Sequence, residues 1–297
     1  MRLHTLAFGL TLGAALSGVG SSALAQESAA PFRVEVSGRG RAVLFIPGFT
    51  NGGAVWRDAV ASLGGKYQTH VFTLAGFDGQ PATADSAALP VWRAAIIQYI
   101  RTKKLDRPVI VGHSLGGFLA LDIAQTEPTL LGGVVNVDGL PFLPAATMPA
   151  ATADGVRPMA MQMRTGMQRS DSAQFAANTR MALAQMLRDT SRMAEVWAMG
   201  KRSDRRLSGQ AYYELMTTDL RPAMSRVQVP VLNLHAWVAY KPYGQTRENV
   251  ERMLADQYAG LPKKTIAIHD AAYHFIQLDE PAWFHEQLQR FLADALR

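Results

Sequence analysis

The run VIVGHSLGGFLAL, residues 109–121, places glycine two positions before and two positions after a serine, giving Gly112, Ser114 and Gly116. A free serine hydroxyl is a weak nucleophile, and it attacks a carbonyl only when a neighbouring base removes its proton. The apolar residues before Ser114 read as a strand and those after it as a helix. Ser114 then falls on a sharp strand-to-helix turn, where flanking glycines give clearance and the hydroxyl projects beyond the sheet. The first turn of the following helix offers unpaired N–H groups to a developing negative charge. Imidazole is the side chain suited to moving the proton near neutrality, and the chain has seven histidines. His4 belongs to the N-terminal leader, His70 to a strand and His285 to a helix, while His113 adjoins the serine and is expected to point away from its hydroxyl. His235 and His269 end strands, and His274 follows the last strand in a loop.

The elements that must position these groups alternate. FRVEV, RAVLFI, THVFTL, PVIVG, GGVVNV, PVLNLH and KTIAIH read as strands, mostly as continuous apolar runs, the pattern of strands covered by helices on both faces. Helical patterns occupy residues 54–63, 89–103, 115–126, 246–259 and 281–296, giving repeated βα units. The expected fold is therefore α/β, a mostly parallel, doubly wound sheet. Between the fifth and sixth strands the rhythm breaks. Residues 141–226 hold no convincing strand, several helical stretches (SAQFAANTRMALAQMLRD, SRMAEVWAMG, GQAYYELMTT) and 11 of the 13 methionines. This segment reads as a helical cap inserted into a core domain formed by residues 26–140 and 227–297, with LPFLPAATMPAATADG as a linker into it. Methionine fills irregular apolar space, so such a cap suits a cleft of adaptable shape, or its methionines only pack the cap helices together.

Three separated motifs, LFIPGFTNGGAVW, VIVGHSLGGFLAL and AAYHFIQLDEPAWF, together resemble the α/β-hydrolase family over nearly the whole chain after the leader. The first is similar to the family's oxyanion loop, which implies the backbone N–H groups of Phe49 and Leu115 as the two donors to a tetrahedral oxyanion. Pro47 cannot donate, and Gly48 permits close backbone approach. The family's usual His-Gly pair is Pro-Gly here. His274, in the loop before LDEP, matches the place of the family's catalytic histidine. In many members the orienting acid follows the strand corresponding to VPVLNLH, yet the residues that follow are AWVAYKPYG, and no Asp or Glu occurs before Glu248. Other members take the acid from the preceding strand end, where this chain has Asp138. The order Ser114, Asp138, His274 agrees with that of the family, although Asp before Gly also serves an ordinary turn. Asp270, four residues before His274, and Asp219, in TTDLRP, stand as alternatives.

The resemblance implies two-step acyl transfer that requires no metal and no organic cofactor. Haloalkane dehalogenases and epoxide hydrolases carry Asp where this chain has Ser114. Trp56, Phe142, Trp237 and Tyr240 are the candidate substrate contacts, suited to an apolar acyl or alcohol moiety of a small ester-like molecule. Other chemistry on the same residues (perhydrolysis, C–C bond cleavage, cofactor-free oxygenation) and a binding role without turnover remain open, because a fold does not choose among them.

Composition sets outer limits. A chain of 297 residues that is 48% hydrophobic has material for one large α/β domain with an insertion. Its first 25 residues carry one arginine, no acid, an apolar centre and the ending Ala23-Leu24-Ala25. They read as a signal peptide cleaved before Gln26, which implies a periplasmic or extracellular protein. No later segment is long and apolar enough to be an integral membrane span. The formal charge is +6, but the basic run KRSDRR lacks the aromatic interleaving and motifs of nucleic-acid binding and reads as a solvated face. With no cysteine, disulfides, thiol catalysis and cysteine metal sites are excluded.

Overall fold

A computed structural model describes residues 30–296; the leader expected at residues 1–25 lies outside the described residues. All seven apolar runs form strands: β1 (Phe32–Ser37), β2 (Ala42–Ile46), β3 (Gln68–Leu74), β4 (Val109–His113), β5 (Gly133–Val137), β6 (Val231–Ala236) and β7 (Lys264–His269). They build one sheet in the order β1-β3-β2-β4-β5-β6-β7. Only the pairing of β1 with β3 is antiparallel.

Helices cover both faces: α1 (Arg57–Ser62), α2 (Leu89–Thr102) and α3 (Leu115–Thr126) in the first half, and α8 (Arg247–Gln257), α9 (Ile276–Asp279) and α10 (Pro281–Ala295) in the second. The period-2 alternation of a strand assigns each side chain to a face. Leu44 and Ile46 of β2 pack with Trp92 and Ile96 of α2 and Phe118 of α3. Val43 and Phe45 face the other way, into a layer with Ala59 of α1 and Phe284 and Leu288 of α10. Both faces of the central strands are thus buried, which is why their sequences do not alternate. Each such side chain contributes roughly 1.5–3 kcal/mol by leaving water.

The segment between β5 and β6 is helical, comprising α4 (Ala153–Arg169), α5 (Ser172–Met186), α6 (Met193–Lys201) and α7 (Arg205–Thr217). Here the structure corrects the sequence reading, because α4 begins inside the run expected to be a linker. The Thr152 hydroxyl accepts the Gly155 N–H at 3.1 Å and starts the helix, which continues through Pro158. α4 then lies against α7 closely enough that a Cβ on Gly209 would sit 2.9 Å from the Arg164 carbonyl oxygen. The methionines of this segment differ in exposure. Met199, Met216 and Met224 are buried, whereas Met148, Met159, Met161, Met163, Met181 and Met186 are exposed. A shallow groove of about 690 Å³ between α5 and α6 is lined by Ala177, Met181, Ala184 and Trp197 with Arg180 and Lys201 beside them, and none of the candidate site residues borders it.

One feature of the topology locates the site. From β2 the chain moves to β3 on one side and from β4 it moves to β5 on the other, so the loops after β2 and β4 diverge around a crevice at the carboxyl ends of the strands, where open α/β sheets bind ligands.

Candidate active site

Ser114 caps α3 with φ 54° and ψ −116°, a positive-φ conformation for a residue with a Cβ. Such strain persists only where the surroundings impose it, and here they are crowded backbone. A Cβ on Gly116 would lie 2.2 Å from the Ile46 carbonyl oxygen, and one on Gly112 would lie 2.1 Å from that of Gly116. Ser114 is partly exposed among buried neighbours. Leu115 opens α3, so its N–H is among those the first turn leaves without an intrahelical partner.

The loop after β2 lies against this turn. A Cβ on Gly48 would meet Ser114 Cβ at 3.2 Å and His113 Nδ1 at 2.7 Å. The Phe49 carbonyl is held by the Thr50 hydroxyl and the Asn51 side-chain amide, both at 2.8 Å, and Asn51 N–H donates to Gly48 O at 3.1 Å. Thr50 has φ 56°. The helical segment braces this loop from above: Ser203 Oγ donates to Thr50 O at 3.2 Å, Gly52 N–H donates to Met199 Sδ at 3.4 Å, and Tyr212 of α7 packs edge-on against the Phe49 ring. Sequence reasoning missed Ser203, Met199 and Tyr212, since nothing local marks a residue whose partner is about 150 positions away.

At the ends of β5 and β6 the sheet brings three groups together. Asp138, with φ 52°, follows β5, and its N–H donates to Leu234 O of β6 at 2.8 Å. One carboxylate oxygen, Oδ2, accepts from His274 Nδ1 at 2.7 Å; the other, Oδ1, accepts from His235 Nδ1 at 3.0 Å and from Ala236 N–H at 3.1 Å. Burial alone would raise the Asp138 pKa, but the hydrogen bonds from His235 and His274 outweigh it and hold the carboxyl well below the usual range. A neutral His274 with its proton on Nδ1 turns a free Nε2 lone pair away from Asp138. The alternatives are engaged elsewhere: Asp270 accepts from Trp237 Nε1 at 2.9 Å and pairs with Arg247 at 2.8 Å, and Asp219 takes the Arg221 guanidinium at 2.7 Å.

The other histidines separate by environment. His113 Nε2 donates to the His274 carbonyl at 3.0 Å and so fixes the backbone of that loop, while burial, reinforced by the neighbouring His274, pushes its pKa down to about 3. His235, a strand-end histidine that the sequence placed near the site edge, lies there and bonds Asp138, a contact the sequence did not anticipate.

The four candidate substrate contacts also divide. Trp56 and Phe142 have no exposed surface, and this corrects their expected role. Trp56 packs between Phe45 and Phe284 on the far face of the sheet. Phe142 lies under the Arg221 guanidinium, with its backbone N–H and carbonyl both bonded to the Gln257 amide. Trp237 and Tyr240 are half-buried at the turn after β6. Burial, together with the Asp138 charge, raises the Tyr240 hydroxyl well above its ordinary pKa and keeps it neutral. Among the described residues no cluster of side chains suited to holding a metal ion occurs, and no helix is long and apolar enough to cross a membrane.

Residues 43–287 match the Alpha/beta hydrolase family. The chain is similar to a pimeloyl-(acyl-carrier protein) methyl ester esterase of Aeromonas hydrophila subsp. hydrophila, 24% identical over 87% of this chain and 98% of that one. Among solved structures it resembles an enol-lactonase from Burkholderia xenovorans, with a TM-score of 0.69 at 16% identity, covering 88% of this chain and 96% of that one. It also resembles a thermophilic esterase from Thermogutta terrifontis, with a TM-score of 0.73 at 15% identity, covering 89% and 93%. At such identities the structural likenesses speak for the fold alone. The family match runs from β2 into α10 and takes in the serine turn and both strand ends described above, and the chain belongs to the alpha/beta hydrolase family.

Proposed function

We propose that this protein is an exported serine hydrolase that cleaves carboxylic esters. The observation that carries the reading is the His274 Nδ1 to Asp138 Oδ2 hydrogen bond of 2.7 Å at the strand ends beside the strained Ser114 turn. In this mechanism His274 Nε2 takes the Ser114 proton as Oγ attacks the ester carbonyl, and Asp138 stabilises the imidazolium without itself taking the proton. The N–H groups of Phe49 and Leu115 receive the oxyanion. When the tetrahedral intermediate collapses, the bond from the acyl carbon to the alkoxy oxygen breaks and the alcohol leaves with the proton from His274. Water then attacks the acyl-enzyme, giving its proton to His274 and releasing the acid and the Ser114 hydroxyl.

The similarity to a methyl ester esterase supports the reaction class. Residues 141–226 serve as a cap over the crevice, and Trp237 and Tyr240 contact the substrate, whose reacting end is a small ester with an apolar moiety. The leader supports export, tested by the mass of the cellular protein, which begins at Gln26 if cleavage occurs.

The direct test is intact-mass analysis after exposure to a fluorophosphonate. The reading requires one adduct on the wild-type protein, none on Ser114→Ala, and much slower formation on Asp138→Asn. An unlabelled wild-type chain would favour a binding protein in its place.

A further inference from the structure

Behind the Asp138 carboxylate lies a chain of polar side chains that a hydrolase mechanism ending at Asp138 does not use. β5 and β6 pair with Val137 opposite Leu234, so the next residue of each strand, Asp138 and His235, are neighbours. His235 Nδ1 donates to Asp138 Oδ1, since a carboxylate can only accept. His235 Nε2 lies 2.9 Å from the Tyr258 hydroxyl, which is itself 2.8 Å from Asn136 Nδ2 and 2.5 Å from Gly139 O. Asn136 Nδ2 also reaches Gly139 O at 2.8 Å and Asn233 Oδ1 at 3.0 Å. The carbonyl therefore keeps a donor when the Tyr258 proton turns to His235.

Asn136, Asn233, His235, Asp138 and Tyr258 are all buried, at 8% exposure or less. Groups of this kind are costly in a core unless each finds a partner, and a well-packed apolar set would serve stability at least as well. Through Tyr258 and His235 this network ends on one oxygen of one carboxylate, and that ending is what needs explaining. That oxygen is fixed by two donors from β6, which leaves Oδ2 aimed at His274.

We infer that His235 and Tyr258 are positioning residues of the proton relay, setting both the orientation of the Asp138 carboxylate and the strength of its hold on His274. The inference rests on the proposed role of His274 as the base. A donor on Oδ1 draws negative charge away from Oδ2, so His235 makes Asp138 a weaker partner for a protonated His274. Removing that donor strengthens the pair, and the acid limb of the rate profile then moves to higher pH. The other ionisable groups that face this pair are Tyr240 from the turn after β6, Tyr258 from the end of α8 and His113 from β4. Burial keeps both tyrosines neutral and keeps His113 uncharged above about pH 3, so none of the three adds a step to the profile.

The test is the pH dependence of ester hydrolysis and of fluorophosphonate labelling on the mature protein, with His235→Leu, Tyr258→Phe and His235→Asn compared to wild type. His235→Leu is expected to lower kcat roughly ten- to hundredfold, the scale of a hydrogen bond to a charged group, with KM unchanged and the acid limb displaced to higher pH. Tyr258→Phe, which removes one oxygen and keeps the ring, moves the limb the same way by less. His235→Asn presents an amide N–H in the place of Nδ1 and returns the limb toward wild type. If His235→Leu does not fold, Tyr258→Phe decides alone. A wild-type acid limb in the substituted proteins, with the adduct still dependent on Ser114, would overturn the positioning role and leave the hydrolase reading standing. Absence of any adduct on the wild type would remove both.

Discussion

His274 Nδ1 and Asp138 Oδ2 lie 2.7 Å apart although 136 residues separate them in the chain. They meet because β5 and β7 flank β6 and run parallel to it, so all three end at the same edge of the sheet. Asp138→Asn leaves the shape and removes the charge that holds the imidazole in its tautomer, and a loss of about four orders of magnitude in kcat is expected from the serine-protease precedent. Asp270→Asn, which disturbs a surface contact with Trp237 and Arg247, is expected to alter kcat by less than about threefold, the scale of a surface pair. Rates for both substitutions, measured on one ester, check the assignment. A larger loss at Asp270 would reverse it.

Acid stability should carry the signature of His113. In the unfolded chain this imidazole takes a proton near pH 6.5, but burial delays it to about pH 3 in the folded protein. Over that window the unfolded state binds more protons, so stability falls as pH falls. The contribution amounts to about 2 kcal/mol between pH 7 and pH 5. Urea midpoints across this range should decline less steeply for His113→Gln, which lacks the titrating ring; parallel declines would contradict the buried, neutral histidine.

Ser203 links the loop after β2 to the helical segment. Its hydroxyl donates to Thr50 O and accepts from Asp78 N–H at 3.1 Å. Ser203→Ala strands both backbone groups, a cost of about 1–3 kcal/mol. Because Thr50 follows the expected oxyanion donor Phe49, labelling of Ser114 is expected to slow beyond what the loss of stability explains, read as the labelling rate of protein that remains fully folded by circular dichroism.

Gly116→Ala tests how tightly the serine turn is built. The added methyl group would press on the Ile46 carbonyl oxygen at 2.2 Å and that of Pro47 at 2.7 Å, and neither is a flexible side-chain end. Overpacking of this kind costs about 1–3 kcal/mol. A thermal melt should show a clear drop, accompanied by loss of labelling. Gly166→Ala, where nothing lies within 4 Å of the added atom, is the matched control and is expected to raise stability slightly, since alanine suits a helix better.

Strands and serine turn were readable because they are local: a buried strand is a short apolar run, and a strained turn needs glycines at fixed offsets. The absence of any carboxylate in AWVAYKPYG was legible, whereas Asp138 was pointed to by the resemblance alone, with Asp270 and Asp219 left open; the hydrogen bond between Asp138 and His274 is long-range and no local pattern displays it. α4 was missed because Gly155, Pro158 and Gly166 are poor helix formers and its stability comes from packing on α7, which no local pattern displays. Trp56 and Phe142 were misplaced for a related reason. An aromatic residue near a functional loop looks the same in sequence whether it faces the crevice or the opposite side of the sheet, and Trp56 belongs to the layer under α10.

Taking the carboxylate from β5 has a consequence for the turn Val238–Tyr243 and for Trp237 before it. Where an acid follows β6, the residues beside it must keep that acid in register with the histidine, and changes there put proton transfer at risk. Here that duty ends at Ala236, whose N–H is the last group of β6 to touch Asp138. If Asp138 serves His274 as proposed, the following residues can change in size and polarity to suit a different ester while the hydrogen bonds behind them stay as they are. On the proposed reading, selectivity and reactivity can therefore diverge independently over descent, and a library randomised at Trp237 and Tyr240 is expected to alter ester preference while the Asp138–His274 hydrogen bond is kept.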